Sequence, residues 1–156
     1  LPFNSRISIN NSKKNFVEFK KNKWVKKKDL KPINYKELNF IKILKNFNGV
    51  KYVWGGRTYK GIDCSALIQL FSLFNNKYFP RDTKDQIKIK KGVKISKKLK
   101  KGNIIYWKGH IAVCITSKKL IHAYGPMKKV IIMDIIETIK RIHQTAKLKV
   151  KKITKI

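Results

Sequence analysis

The chain has 156 residues, of which 42% are hydrophobic and 11% aromatic. This length corresponds to one ordinary domain with room for a small appendage, and the hydrophobic fraction excludes an intrinsically disordered protein. No apolar run approaches the ~20 residues of a membrane-spanning helix, and the first residues do not have the pattern of a signal peptide.

The charge is strongly positive. Lys and Arg number 39 against 8 Asp and Glu, which gives a formal net charge of +31 at pH 7. Such a field attracts polyanions, so a nucleic-acid binder is the first hypothesis. However, 35 of the 39 cations are lysine, which lacks the bidentate geometry of arginine, and they are spread along the whole chain. We therefore expect a solvated basic surface that attracts anionic polymers, and no specific recognition of nucleic acid.

The first thirty residues alternate apolar and polar side chains in the manner of strands. Strands are predicted at residues 5–9, 16–20 and 23–30, with asparagine-rich turns between them. Three strands this short rarely fold alone, so they pack on the rest of the chain or end a domain that began upstream. Pro32 closes this segment.

Two polar sequence patterns each predict the start of a helix. Residues 34–37 resemble a capping box, in which a polar cap precedes a Glu by three residues, and this predicts a helix over residues 35–47. Thr83 and Gln86 form a second pattern of the same kind, for a short helix that ends before Gly92.

The second half of the chain is rich in strand patterns separated by turn residues. The predicted strands are residues 103–107, 110–117, 119–124 and 129–135, with one more at 147–153. Helices that precede an antiparallel sheet indicate an α+β fold and not alternating β-α-β winding.

Cys64 stands at the start of an amphipathic helix. Its apolar stripe consists of Ala66, Leu67, Leu70, Phe71 and Phe74. The free N–H groups of a helix N-terminus favour a thiolate over a thiol, and they can hold the oxyanion of a tetrahedral intermediate. Cys114 lies in an apolar strand, where a small buried thiol is expected. The sequence leaves a disulfide between the two cysteines open.

Two histidines on predicted strands could serve as bases. A simple hairpin turn near residues 117–119 would pair position 110 with about 126 and position 114 with about 122. His110 and His122 meet only if this register shifts slightly or the strands cross at their ends. His143 lies in a polar stretch and has no expected function.

Six sequence blocks, in order, resemble the NlpC-type cysteine peptidases, papain-like hydrolases of bacterial cell-wall peptides. The blocks are Tyr52-Val-Trp-Gly-Gly56, Gly61-Ile-Asp-Cys-Ser-Ala66, Phe79-Pro-Arg-Asp-Thr-Lys-Asp-Gln86, Leu99-Lys-Lys-Gly-Asn-Ile-Ile-Tyr-Trp107, Gly109-His-Ile-Ala-Val113 and Leu120-Ile-His-Ala123. The resemblance implies a papain-like α+β fold, in which the helix that carries the nucleophile packs on an antiparallel sheet. It places this catalytic domain at residues 34–156, and residues 1–33 are similar to the end of a bacterial SH3-like module.

The resemblance also implies roles for particular residues. Cys64 is the implied nucleophile, His110 the general base and His122 the third, orienting residue. The implied substrate-binding residues are Tyr52, Asp63 and Ser65. No metal or organic cofactor is required.

Two positions depart from the family pattern. Ala66 stands where the family usually has Gly, and Gly102-Asn-Ile104 replaces the usual Gly-Asp-Leu. Neither change removes a catalytic group, so an active enzyme is expected.

The leading hypothesis is therefore a cysteine endopeptidase that cuts an amide in peptidoglycan stem peptides, at the D-γ-glutamyl to diamino-acid bond. The first alternative is a non-catalytic module that binds anionic wall polymers or nucleic acid. The second is an amidase or acyltransferase on the same fold. If Leu1 follows a removed signal, the protein belongs in the periplasm or cell envelope; if the chain is nearly complete, it is cytoplasmic.

Overall fold

The computed structural model describes residues 1–89, 91–92 and 99–156. The strands in this part are β1 (Asn11–Ser12), β2 (Phe16–Lys20), β3 (Lys23–Lys26), β4 (Arg57–Thr58), β5 (Gly61–Ile62), β6 (Asn103–Trp107), β7 (His110–Cys114), β8 (Lys119–Tyr124), β9 (Lys129–Asp134) and β10 (Lys152–Lys155). The α-helices are α1 (Phe40–Lys45), α2 (Cys64–Phe74), α3 (Thr83–Ile89) and α4 (Ile135–Ala146). No helix of these described ranges is long and apolar enough to cross a membrane.

The central feature is a five-stranded antiparallel sheet in the order β10-β6-β7-β8-β9. The predicted α+β class is confirmed, and β6 to β9 all begin at the predicted residues. Strand β7 ends at Cys114, earlier than predicted, and β9 ends at Asp134. Because β6, β7 and β8 are almost wholly buried, the sheet forms the middle layer of the domain.

Each face of this sheet is covered by a different helix. Helix α2 packs on one face, in a core that includes Leu67, Ile104, Ile111, Val113 and Ile121. Helix α4 covers the other face, in a second core that includes Ile105, Trp107, Leu120, Ile135 and Ile142. Side chains on both faces of the strands are therefore buried, which explains their nearly continuous apolar sequences.

Helix α4 is absent from the sequence prediction. It begins because the Asp134 carboxylate accepts hydrogen bonds from the backbone N–H groups of Ile136 and Glu137, which caps the helix. The chain leaves β9 at this cap and turns back over the sheet. The strand predicted at residues 147–153 is wrong over its first five residues, because only Lys152–Lys155 pairs with β6.

The capping box predicted at residues 34–37 does not form, and α1 begins only at Phe40. The Glu37 backbone N–H instead donates to the Asn75 side-chain oxygen at 2.9 Å. This bond holds the segment before α1 against the end of α2. The predicted helix was too long because these long-range partners replaced the local cap.

The Thr83 and Gln86 capping box is also wrong, although α3 begins at Thr83 and ends before Gly92 as predicted. The Gln86 side-chain amide donates to the carbonyl groups of Ser65 at 3.0 Å and Pro80 at 2.8 Å. Gln86 is fully buried, and these bonds tie α3 to the first turn of α2.

The N-terminal residues form a small three-stranded sheet in the order β1-β2-β3. No strand forms at residues 5–9; the first strand is Asn11–Ser12. Strand β2 has the predicted bounds, and β3 ends at Lys26 in a short 3-10 turn. The likeness of residues 1–33 to an SH3-like module stays a prediction.

Candidate active site

Asp63 begins the helix that carries Cys64. Its backbone is extended, and its side-chain oxygen Oδ1 accepts the Ala66 N–H at 2.8 Å. This is the geometry of an N-cap, which replaces the missing intrahelical partner of a first-turn N–H group. Cys64 is therefore the first residue of α2, as the sequence predicts.

The same carboxylate binds two other segments. Both terminal nitrogens of the Arg81 guanidinium donate to it, and its Oδ2 accepts the Gly55 N–H at 2.9 Å. Ser65 Oγ donates to Oδ1 at 3.0 Å and lies 2.7 Å from an Arg81 nitrogen. Burial disfavours the charge of Asp63, but the bonds from Arg81 and Ala66 outweigh burial and lower its pKa.

A cleft of about 330 Å³ opens beside this network. Its lining residues are Trp54, Gly55, Asp63, Cys64, Ser65, Arg81, Asp82, Thr83, Lys84 and Gly109. Among the predicted site residues, the structure thus brings Asp63, Cys64 and Ser65 together at one wall. The Cys64 Sγ lies 4.0 Å from the carbonyl oxygen of Gly109, which also lines the cleft.

The thiol of Cys64 is less acidic than its place in the sequence suggests. Burial raises its pKa, and the negative charge of Asp63 raises it further. The backbone groups of Ile111 and Ser65 and the Thr83 side chain act in the opposite direction without cancelling this. The helix terminus therefore does not by itself produce a thiolate. Both cysteines are free, and no disulfide joins Cys64 to Cys114.

His110 and His122 are in direct contact. The Nε2 of His110 lies 2.9 Å from the Nδ1 of His122. Trp107 and Tyr124 surround them with ring centroids 5.6 and 5.7 Å from that of His110. Burial lowers the pKa of His110 to about 4, and burial with the neighbouring His110 lowers that of His122 to about 2. Both rings are neutral at pH 7.

His110 and His122 come into contact because β7 and β8 pair in a register different from that of the simple hairpin. Val113 pairs with Ile121 and Cys114 with Leu120, a shift of two residues from the expected pairing. In the described part of the chain no hydrogen bond joins the Cys64 Sγ to the His110 ring. The carbonyl oxygen of Gly109, the residue before His110, lies 4.0 Å from the sulfur.

Tyr52 lies close to the thiol but outside the cleft lining. It is half-buried, and burial raises its pKa to about 12, with smaller contributions from the charges of Cys64 and Asp63. Its backbone N–H donates to the Lys128 carbonyl at 2.8 Å, and its ring lies against Gly125.

The structure adds site residues that sequence reasoning missed. Arg81 and Asp82 lie in the sequence block of residues 79–86. That block carries the family resemblance but implies no role for either residue. The sequence could have pointed to Arg81, because arginine is rare in this chain, which has four arginines among 39 basic residues. Asp82 also lines the cleft. Within the described ranges, no three His, Cys, Asp or Glu side chains lie together as a metal site would require.

A helix that begins at a cysteine and packs on an antiparallel sheet with two histidines in contact defines a papain-like architecture. The sequence model of the NlpC/P60 family matches residues 49–149. The chain belongs to the NlpC/P60 family.

Two curated relatives share moderate similarity. The gamma-D-glutamyl-L-lysine dipeptidyl-peptidase of Bacillus subtilis is 28% identical over 128 residues, which is 75% of this chain and 43% of the relative. A probable endopeptidase NlpC homolog of Haemophilus influenzae is 39% identical over 79 residues, 48% of this chain and 42% of the relative. The chain thus spans less than half the length of these relatives.

Solved structures show the same fold. An NlpC/P60 family protein from Bacillus cereus has a TM-score of 0.73 and 23% identity, and the match covers 86% of this chain and 50% of that one. The NlpC/P60 domain of the peptidoglycan hydrolase SagA has a TM-score of 0.58 and 20% identity, with 75% and 96% covered.

Replacing Asp63 by Asn should destabilise the protein by about 2–4 kcal/mol at pH 7, because Asn can still cap α2 but leaves the Arg81 charge without its partner. Urea unfolding measures this. Because folding lowers the pKa of Asp63, its contribution is present above the ordinary value of 3.8 and is lost as pH falls through the lowered value. The difference between the two proteins should therefore shrink in acid.

Asp85→Asn is the matched control. Asp85 pairs with Lys88 on the exposed side of α3 at 3.1 Å, and removing this surface pair should cost at most about 0.5 kcal/mol. Equal losses for the two variants would contradict a structural role for the Asp63 network.

Cys64 should react with a small alkylating reagent at least about tenfold faster than Cys114 at pH 7. Cys64 faces the cleft, whereas Cys114 is fully buried and burial raises its pKa to about 12. Because the pKa of Cys64 is also raised, its rate should still increase with pH above neutrality. Mass spectrometry of the labelled peptides measures both rates, and equal rates for the two cysteines in the folded protein, or faster labelling of Cys114, would refute the assignment.

Proposed function

We propose that the chain hydrolyses an amide bond in the stem peptide of peptidoglycan through an acyl-enzyme on Cys64. The observation that carries this proposal is the position of the thiol. It lies at the N-terminus of α2, in a cleft that is also lined by Gly109, the residue before His110. A nucleophile, first-turn N–H groups and a neutral imidazole are then within one small region.

The reaction begins when the His110 ring moves toward the sulfur and takes its proton. The thiolate adds to the substrate carbonyl, and the oxyanion faces the unpaired N–H groups of the first turn of α2. The C–N bond then breaks, and the leaving amine takes the proton from His110. His110 next deprotonates a water that attacks the thioester, which releases the acid and restores the thiol. His122 orients His110 throughout these steps.

For the bond cut we propose the D-γ-glutamyl to diamino-acid linkage. The name of the Bacillus subtilis relative, gamma-D-glutamyl-L-lysine dipeptidyl-peptidase, supports this choice. A γ-linked glutamate keeps a free α-carboxylate, and the Lys84 side chain in the cleft has the charge to bind it. The carboxylate of Asp82, also in the cleft, can bind an amino group of the peptide.

Asp63, Ser65 and Tyr52 contribute differently from one another in this proposal. The oxygens of Asp63 already accept bonds from Arg81, Gly55 and Ala66, so it shapes the cleft wall and does not bind the amine itself. Ser65 is part of the same network. The Tyr52 phenol, which stays protonated at neutral pH, lies near the sulfur and can donate to the bound peptide.

We also propose that the basic surface concentrates the enzyme on anionic polymers of the cell envelope. The lysines of the small N-terminal sheet are all exposed, and the net charge of the chain is +31. Exposed charges of one sign raise the local concentration of an oppositely charged partner without forming a specific site.

Defined muropeptides, incubated with the protein and read by mass spectrometry, test the catalytic proposal. Cys64→Ala and His110→Ala should each lose at least about 1,000-fold in turnover, because nucleophile and base act as a unit. His122→Asn keeps an acceptor for the His110 ring and should lose only about tenfold.

His143→Ala is the control for these variants, since His143 is exposed on α4, and it should retain full turnover. Unchanged turnover in Cys64→Ala would exclude the thiol mechanism. A wild-type protein that binds wall polymers but cuts no muropeptide would instead support the non-catalytic alternative. Products that carry a new acyl acceptor would support a transferase.

Salt should separate the basic surface from the catalytic site. Screening shortens the reach of exposed charges from about 8 Å at physiological salt to about 3 Å at 1 M, so binding to whole cell wall should weaken steeply. Cleavage of a small soluble muropeptide depends on contacts within the cleft and should fall much less. A parallel decline of binding and cleavage over one salt series would place the lysines in the substrate site.

A further inference from the structure

The two nitrogens of the His122 ring each have one neighbour. Nδ1 lies 2.9 Å from His110 Nε2, and Nε2 lies 3.4 Å from the sulfur of Met133. The ring is 1% exposed, so water does not reach it. Tyr124 stacks on the face of the ring at 4.6 Å and leaves both nitrogens to their in-plane partners.

The sheet register explains why a sulfur occupies this place. His122 on β8 pairs with Ile131 on β9, and Met133 lies two residues further along β9, opposite Leu120. Residues two apart on one strand point to the same face, so Met133 is the diagonal neighbour of His122. A flexible thioether at that position can reach the ring edge.

A thioether sulfur carries no hydrogen and can only accept a hydrogen bond. A proton on His122 Nε2 is therefore favoured, because a bare nitrogen would face the sulfur lone pairs. With its single proton on Nε2, the neutral ring offers Nδ1 as an acceptor. His110 must then donate from its own Nε2, which leaves its Nδ1 unprotonated.

We propose that Met133 is a positioning residue that fixes the tautomer of His122 and, through it, makes Nδ1 the basic nitrogen of His110. The assignment of His110 as the base rests on the proposed function. The assignment of the ring protons does not rest on the proposed function, because it follows from the contacts among Met133, His122 and His110 alone. Both rings are neutral at pH 7, so each carries one proton and the choice of nitrogen is a real one.

The direct test is ¹⁵N NMR of the imidazole rings at pH 7, which needs no activity. In the wild type His122 should be protonated at Nε2 and His110 also at Nε2. Met133→Leu keeps the volume and removes the acceptor, so the ring signals of both histidines should shift toward a mixture of tautomers. Met127→Leu, at the exposed other methionine, is the matched control and should change neither ring.

Two results of this measurement would overturn the proposal. The first is a wild-type His122 protonated at Nδ1. The second is a Met133→Leu protein that folds as the wild type does and keeps the wild-type tautomers. If muropeptides are not cut at all, the proposed function fails while the NMR result still decides the tautomer question.

Kinetics adds a readout that packing alone would not change. Met133→Leu should lower kcat about three- to tenfold, the effect of losing one modest hydrogen bond, and leave KM unchanged. Met133→Gln presents an amide oxygen as a new acceptor and should restore most of the loss. A rise in KM, or no rescue by Gln, would assign Met133 to packing.

The His122→Asn background makes the same distinction. Asn accepts from His110 through its carbonyl oxygen and has no tautomer to fix. Adding Met133→Leu to His122→Asn should therefore cost nothing further in kcat, a clear departure from additivity. Equal losses in both backgrounds would show that Met133 acts independently of the His122 tautomer and would overturn the proposal.

Discussion

The site depends on the hydrogen bonds and the ion pair that the carboxylate of Asp63 forms. This carboxylate caps α2, binds the N–H of Gly55 eight residues before it and pairs with Arg81 18 residues after it, so three segments meet at one charged group. Next to Gly55, the backbone of Gly56 approaches that of Gly61 so closely that a Cβ on Gly56 would lie 2.5 Å from the Gly61 carbonyl oxygen. The walls of the cleft are thereby fixed relative to Cys64.

This arrangement makes the proposed nucleophile, Cys64, dependent on the proposed base, His110. The negative charge that positions Cys64 also disfavours its thiolate, and burial adds to this effect. The thiolate therefore requires a proton acceptor and a positive partner at the same moment. A buried, neutral His110 can supply both, because an adjacent thiolate raises the pKa of the imidazole while the imidazolium lowers that of the thiol. Each group becomes reactive mainly in the presence of the other.

Local patterns predicted the elements near the site well and the flanking elements poorly. The apolar stripe after Cys64 predicted α2 correctly, because the buried residues of this helix follow helical spacing. The capping boxes failed because Glu37 and Gln86 bond to distant groups, Asn75 and the Ser65 carbonyl, which no local pattern contains. Helix α4 was missed because an apolar run continues from β9 across its cap, so that the capping role of Asp134 was overlooked. The roles of Arg81 and Asp82 also required knowledge of which segments meet.

The contact between the histidines shows what a sequence pattern leaves undetermined. In the simple hairpin, His122 would stand opposite Cys114, four residues from His110 and roughly 14 Å along the strand at about 3.4 Å per residue. Continuing the observed register puts His122 opposite Ala112 instead, a diagonal neighbour of His110 at roughly 7–8 Å between backbones, which two imidazoles can span. The turn sets this register, since Ile115 and Thr116 bond to Lys119 across it. The geometry of the proposed base is thus decided by a polar turn that contains no catalytic group.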